Sequence, residues 1–198
     1  MTKTSKNLVN EKNREEAEEH FEEFMKCLGL DPESDEHLKG TPDRVVRSRF
    51  DEIFRGIDEN PDEHLEQTFE EGVSDDFVIV GDIQVKSMCA HHFLPFTGRA
   101  WIGYIPDDEV VGLSKLSRVL DGYARRPQVQ ERLTNQVANA IDENLDPKAV
   151  IIHIDAEHHC MSLRGVEEPH ATTNTTALRG DAKDDATIKS EFFDMIDK

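Results

Sequence analysis

A chain of 198 residues with 36% hydrophobic side chains can bury one core of ordinary size, with room for a helical appendage. Its 42 acids against 23 bases give a formal charge of −19, and the averaged field of such a chain repels nucleic acid and anionic membranes. No apolar run approaches the length that crosses a bilayer, the amino terminus lacks the apolar stretch of a secretory leader, and three cysteines suit a reducing compartment, so a cytoplasmic protein is expected.

The acids are dispersed in runs such as EEAEEHFEE, DPESDEH and IDENPDEH. They read as a solvated, self-repelling surface that a salt-rich cytosol would screen, which suits a halophilic source. From about Glu11 to Leu30, Ala17, Phe21, Phe24 and Leu28 recur at helical spacing, with Gly29 as the stop and Cys27 expected in the core. A second helix is predicted from Thr41-Pro42, with threonine as cap and proline in the first turn. Its stripe is Val45, Val46, Phe50, Ile53 and Phe54, ending before Gly56, and an acidic connector follows.

FVIVGDIQVKSM and FTGRAWIGYI, rich in β-branched and aromatic residues, are predicted strands flanking the loop CAHHFLP. LSKLSRVLDGYAR and VQERLTNQVANAIDENL return to helical period, the second aligning Val129, Leu133, Val137, Ile141 and Leu145 before Pro147. AVIIHIDAE and HATTNTTAL are further strand candidates, and Ile188, Phe192 and Ile196 mark a terminal helix. The order predicts an α+β fold: an antiparallel four-stranded sheet with a central helix pair on one face, preceded by N-terminal helices.

Two clusters carry metal-binding chemistry, Cys89-Ala90-His91-His92 and His158-His159-Cys160. Thiolate and imidazole suit zinc, and Cys89, His92 and Cys160 make three protein ligands with a fourth position left for water, the pattern of a catalytic rather than a structural site. A buried small hydrophobe is the ordinary alternative for either cysteine. His91 and His158, each near a proposed ligand, are candidates for moving protons near neutral pH. His153 reads as a structural strand histidine, and His159 points away from the site if the strand continues. Basic residues gather at Arg44 and Arg47, at Lys115 and Arg118, and at Arg164. They suit a triphosphate, although with so many acids available composition alone favours ordinary surface ion pairing, and there is no P-loop.

VKSMCAHHFLPFTGRAWIGYIP, VVGLSKLSRVLDGYARRPQVQERLTNQVANAI, HHCMSLRGV with ATTNTTALRG, and TPDRVVRSRFDEIFRGID upstream together resemble the type I GTP cyclohydrolase family, from about Thr41 to Gly180. The resemblance implies a tunnel fold in a catalytic domain over 71–198, an N-terminal helical region over 1–70, and a homodecamer with active sites at subunit interfaces. It places Cys89, His92 and Cys160 on the zinc ligands, a set that also accepts iron(II), and His91 and His158 on the proton-handling histidines. Gln130 and Glu131 fall on the pair that anchors the guanine edge, Glu131 as a buried carboxylate accepting from the guanine N–H groups. Ser114, Lys115, Arg118 and Arg164 fall on ribose and triphosphate contacts, with Arg44 and Arg47 reaching in from a neighbouring subunit.

The implied activity is hydrolytic opening of the guanine imidazole ring of GTP, release of formate and closure to 7,8-dihydroneopterin triphosphate, the first step of reduced pterin and folate synthesis. Two departures stand out: Ala90 where the family usually has an acid, and Arg47 where lysine is common. Three rival readings are a silent nucleotide- or pterin-binding regulator, a related enzyme acting on a deazapurine or pterin, and a structural metal protein. The regulator should lack a ligand or proton carrier, the related enzyme the triphosphate contacts, and the structural protein should have a fourth ligand.

Overall fold

The structure, a computed structural model, describes residues 10–70 and 75–197. It divides into two compact units, Met1–Glu59 and Asn60–Lys198. In the first, helix α1 (Glu11–Cys27) starts where the Asn10 side chain accepts from the Asn13 backbone N–H at 2.9 Å, and it ends ahead of Gly29, whose φ of 78° suits glycine. Met25 is its buried residue, while Phe24 and Leu28 are exposed. Cys27, expected in the core, is exposed as well. Helical register explains this: the inward face runs through Arg14, Ala17, Phe21 and Met25, and Arg14 pairs with Asp51 and lies over the Phe50 ring.

Helix α2 (Thr41–Arg47) departs from expectation at its start. Gly40, at φ 72°, occupies the cap position and no side chain caps the helix; the Thr41 hydroxyl instead accepts from Arg44 Nη2 at 2.8 Å. A π-helical turn, Ser48–Ile53, and a 3₁₀ turn, Arg55–Ile57, carry the rest of the predicted stripe.

The second unit runs through a 3₁₀ turn (Pro61–Leu65) and then β1 (Thr68–Phe69), β2 (Val78–Cys89), β3 (Pro95–Ile105), β4 (Val110–Val111), α3 (Leu113–Ala124), β5 (Pro127–Gln128) and α4 (Gln130–Leu145). It continues with β6 (Ala149–His158), the single turn α5 (His159–Ser162), β7 (Thr172–Gly180), a 3₁₀ turn (Asp181–Lys183) and α6 (Ala186–Ile196). The four long strands form the expected antiparallel array, β2-β3-β6-β7. The sheet nonetheless has five strands and is mixed, because β5 adds a parallel partner at the end of β2, Met88 opposite Pro127 and Cys89 opposite Gln128. Two residues containing a proline carry no alternating pattern, so this strand has no signal in sequence. A second small sheet pairs β1 with β4.

Alternation along the strands sorts side chains onto two faces. Val85, Ile102, Tyr104, Val150, Ile152 and Ile154 pack against Leu116, Val119, Leu120, Leu133, Val137 and Ile141 of α3 and α4. On the opposite face Ile151 and Trp101 meet Phe192 of α6, so a second, smaller core lies there. His153 sits in it, with Trp101 at 5.6 Å, Phe193 at 5.4 Å and a 3.1 Å hydrogen bond to Thr176, as a structural histidine should. Among the described residues no helix is long and apolar enough to cross a membrane.

The close approach of β3 to β6 depends on Gly98. A Cβ there would stand 2.0 Å from the Asp155 carbonyl oxygen and 2.5 Å from Ala156 Cα. Because those neighbours are backbone, Gly98→Ala must push the strands apart, costing about 1–3 kcal/mol or more. Thermal unfolding should show the midpoint falling by several degrees; an unchanged midpoint would mean that the ladder yields more easily than this spacing implies.

Candidate metal centre and its surroundings

The strand register assembles the site. Met88 pairs with Pro95 across β2 and β3, and Phe96 pairs with His158 across β3 and β6, so the ends of β2 and β6 meet on either side of the start of β3. Cys89 closes β2, and Cys160 lies in α5 immediately after β6. The loop between β2 and β3 is tied down by Cys89 N–H donating to Leu94 O and Phe93 N–H donating to Cys89 O, at 2.8 and 2.9 Å. Phe93 takes a φ of 53°, a strained setting for a bulky residue of the kind that gathers at functional sites.

Donor atoms of Cys89, His92 and Cys160 lie within 4.8 Å of one another. Cys89 is buried, Cys160 half-buried and His92 exposed. Burial, and then the neighbouring Cys89 thiol, push the Cys160 thiol above its ordinary range. Two soft sulfurs and an imidazole gathered this closely match the chemistry of a zinc-type ion, and three donors leave room for an exchangeable one. His91 Nδ1 is 3.8 Å from Cys89 Sγ.

His158 stacks on Phe96 at 4.7 Å with 10° between the rings, and its Nε2 is 2.7 Å from Gln130 Oε1. Burial lowers its pKa below the usual histidine value, partly offset by Glu131. β6 ends at His158 and α5 begins at His159, so the strand alternation expected to turn His159 aside does not reach it; its Nδ1 donates to Pro95 O at 3.1 Å.

Glu131, expected as a buried carboxylate, is exposed on the first turn of α4, where the helix buries its neighbour Gln130 instead. Arg164 is exposed and donates from Nη1 to His92 Nε2 at 3.3 Å, a link that no sequence pattern announces. Ser114, Lys115 and Arg118 share one face of the first turns of α3. Lys115 and Arg118 form no ion pair among the described residues. In the first unit Arg44 spends its guanidinium on Lys39 O, His37 O and the Thr41 hydroxyl, whereas Arg47 is exposed with a 3.8 Å contact to Asp43. The sequence reading placed Gln130 on the guanine edge but did not foresee its burial behind His158, nor the buried Thr134 and half-buried Thr175 that bond with it.

Comparison with known proteins gives a consistent result. A family model described as GTP cyclohydrolase I matches residues 17–197. A protein named GTP cyclohydrolase 1 from Streptomyces avermitilis is 47% identical over 198 residues, covering 99% of this chain and 96% of its own. One of the same name from Pelotomaculum thermopropionicum is 47% identical over 174 residues, covering 87% and 91%. Among solved structures, an archaeosine synthase QueF-like protein in the apo form aligns over 54% of this chain and 96% of its own, with a TM-score of 0.45 and 16% identity, a likeness too slight to build on.

If the three donors act together, removing one leaves two, too few to keep a divalent ion against a chelator. Metal content by elemental analysis should fall from about one ion per chain to near zero in Cys160→Ala after chelator dialysis. Retention of a full complement would move the site elsewhere.

Proposed function

The chain belongs to the GTP cyclohydrolase I family and is a hydrolase acting on GTP, and on that footing we propose how its residues divide the work. The observation carrying this reading is the Cys89, His92 and Cys160 donor group beside His158 at the end of β6. We read residues 71–198 as the tunnel-fold catalytic domain of a cytoplasmic homodecamer, preceded by an N-terminal helical region over 1–70.

The donor set fits a divalent metal. Cys89, His92 and Cys160 would hold zinc, and the same ligands accept iron(II). When bound, the ion supplies Lewis acidity that activates water at neutral pH. His158 supplies the proton traffic. With its pKa lowered by burial, it takes one proton of the water that adds to C8 of guanine and gives it to the ring nitrogen that C8 releases, the water's other hydrogen passing to the nitrogen that stays on C8. His91, exposed next to Cys89, is the second proton carrier. A second hydrolysis frees formate, and the liberated amine lets the ribose rearrange and close to 7,8-dihydroneopterin triphosphate, the entry to reduced pterin and folate synthesis.

Specificity follows from charge and hydrogen bonding. The Glu131 carboxylate accepts from the guanine N–H groups, and adenine offers no matching pair. Ser114, Lys115, Arg118 and Arg164 receive the ribose and triphosphate, the unpaired cations serving without breaking existing bridges. Arg47 extends from a neighbouring subunit to the phosphates, with Arg44 ordering the start of the same helix. A silent regulator is disfavoured because neither a ligand nor a proton carrier is missing.

Purified protein incubated with GTP and then oxidised should yield a fluorescent pterin, and ATP should yield none. His158→Ala should keep its metal while kcat falls roughly 10²–10⁴-fold. Equal turnover of ATP would remove the guanine role of Glu131; a normal kcat in the variant would shift the proton traffic to His91 or to water.

A further inference from the structure

Gln130 is 1% exposed, and a buried amide must satisfy both its ends. Its Nε2 lies 3.1 Å from Ile154 O, 2.8 Å from Thr173 O and 3.1 Å from Thr175 Oγ1. Two of these partners are backbone carbonyls, which only accept, so the atom facing them must be the NH₂ group; the flipped amide would set oxygen against oxygen and lose both bonds. The hydroxyls close the circuit without conflict. Thr134 donates to the Gln130 backbone O at 2.8 Å, so Thr175 must donate to Thr134 across their 2.7 Å contact, and Thr175 Oγ1 shares one of the two amide hydrogens of Gln130 with a carbonyl.

With the amide orientation forced, Oε1 faces His158 Nε2 at 2.7 Å. An amide oxygen cannot donate, so Nε2 carries a hydrogen. Phe96, stacked nearly parallel on the imidazole, holds the ring plane from the side. Nδ1 has no hydrogen-bond partner among the described residues and is the nitrogen left open.

We propose that Gln130 is a positioning residue that locks His158 in its Nε2–H form through the Gln130–Thr175–Thr134 network, leaving Nδ1 as the nitrogen that His158 offers to the substrate. The guanine edge then falls to Glu131 without help from the Gln130 side chain. This assignment rests on the reading of His158 as a proton carrier.

The test uses the full-length enzyme. Gln130→Met keeps the volume and removes both ends of the amide. Its kcat should fall roughly 10–100-fold, the range for partners that orient a functional histidine, with KM for GTP and metal content nearly unchanged. A raised KM with kcat intact would overturn the proposal and return Gln130 to the guanine edge. Because the substitution also strands two buried carbonyls and can impair folding, the native enzyme supplies an independent readout. Solid-state nitrogen NMR of protein labelled at histidine, with the His158 signals identified by their loss in His158→Asn, should show a protonated Nε2 and a bare Nδ1. A neutral ring protonated on Nδ1 would refute the proposal whatever the variant does. If the native enzyme makes no pterin from GTP, the functional reading fails instead, and the ring's tautomer still stands or falls on its own spectrum.

Discussion

Strand β3 lies hydrogen-bonded between β2 and β6, and its first residues, Pro95 and Phe96, stand opposite Met88 on one side and His158 on the other. A shift of one residue in either ladder would turn every side chain of the shifted strand to the opposite face. The site therefore depends on two registers at once. They bring together residues more than sixty positions apart in the chain, Cys89 and Cys160, and set His158 against the ring of Phe96. The apolar core between the sheet and helices α3 and α4 holds those registers, because slippage would expose Val85, Ile102, Ile152 and Ile154 together.

The electrostatics follow from the same economy. A chain at −19 repels a triphosphate at long range, so capture requires cations that acids have not already neutralised. Lys115 and Arg118, at the start of α3, form no ion pair among the described residues, whereas Arg14 and Lys148 are paired with Asp51 and Asp75. Salt that screens the general repulsion leaves close contacts less affected. A strongly acidic surface and an anionic substrate are thus compatible.

Much of this was legible in the sequence because its signals are periodic or chemically rare. The long strands, the central helix pair and the terminal helix each repeat an apolar pattern, and cysteine with adjacent histidine at two strand ends is distinctive. What escaped detection is short or depends on orientation. Strand β5 is two residues long, yet it carries the chain from α3 to the start of α4 and so delivers Gln130 to His158. Cys27 lies beside an apolar stripe but one step around the helix from the inward face, a difference that spacing alone does not resolve. Glu131 and Gln130 are neighbours in sequence, and only the rotation of α4 determines that the amide is buried and the carboxylate exposed. The threonines behind His158, Thr134 and Thr175, are uncharged residues far apart in sequence, for which no motif exists.

At the centre of the account is an open metal site with two sulfur donors and one imidazole. X-ray absorption at the edge of the purified enzyme's own metal addresses it directly, since sulfur and lighter donors scatter distinguishably. The account predicts two sulfurs at about 2.3 Å and two nitrogen or oxygen donors near 2.0–2.1 Å, one of them imidazole and the other exchangeable. A closed shell of four protein donors, or a shell without sulfur, would contradict it.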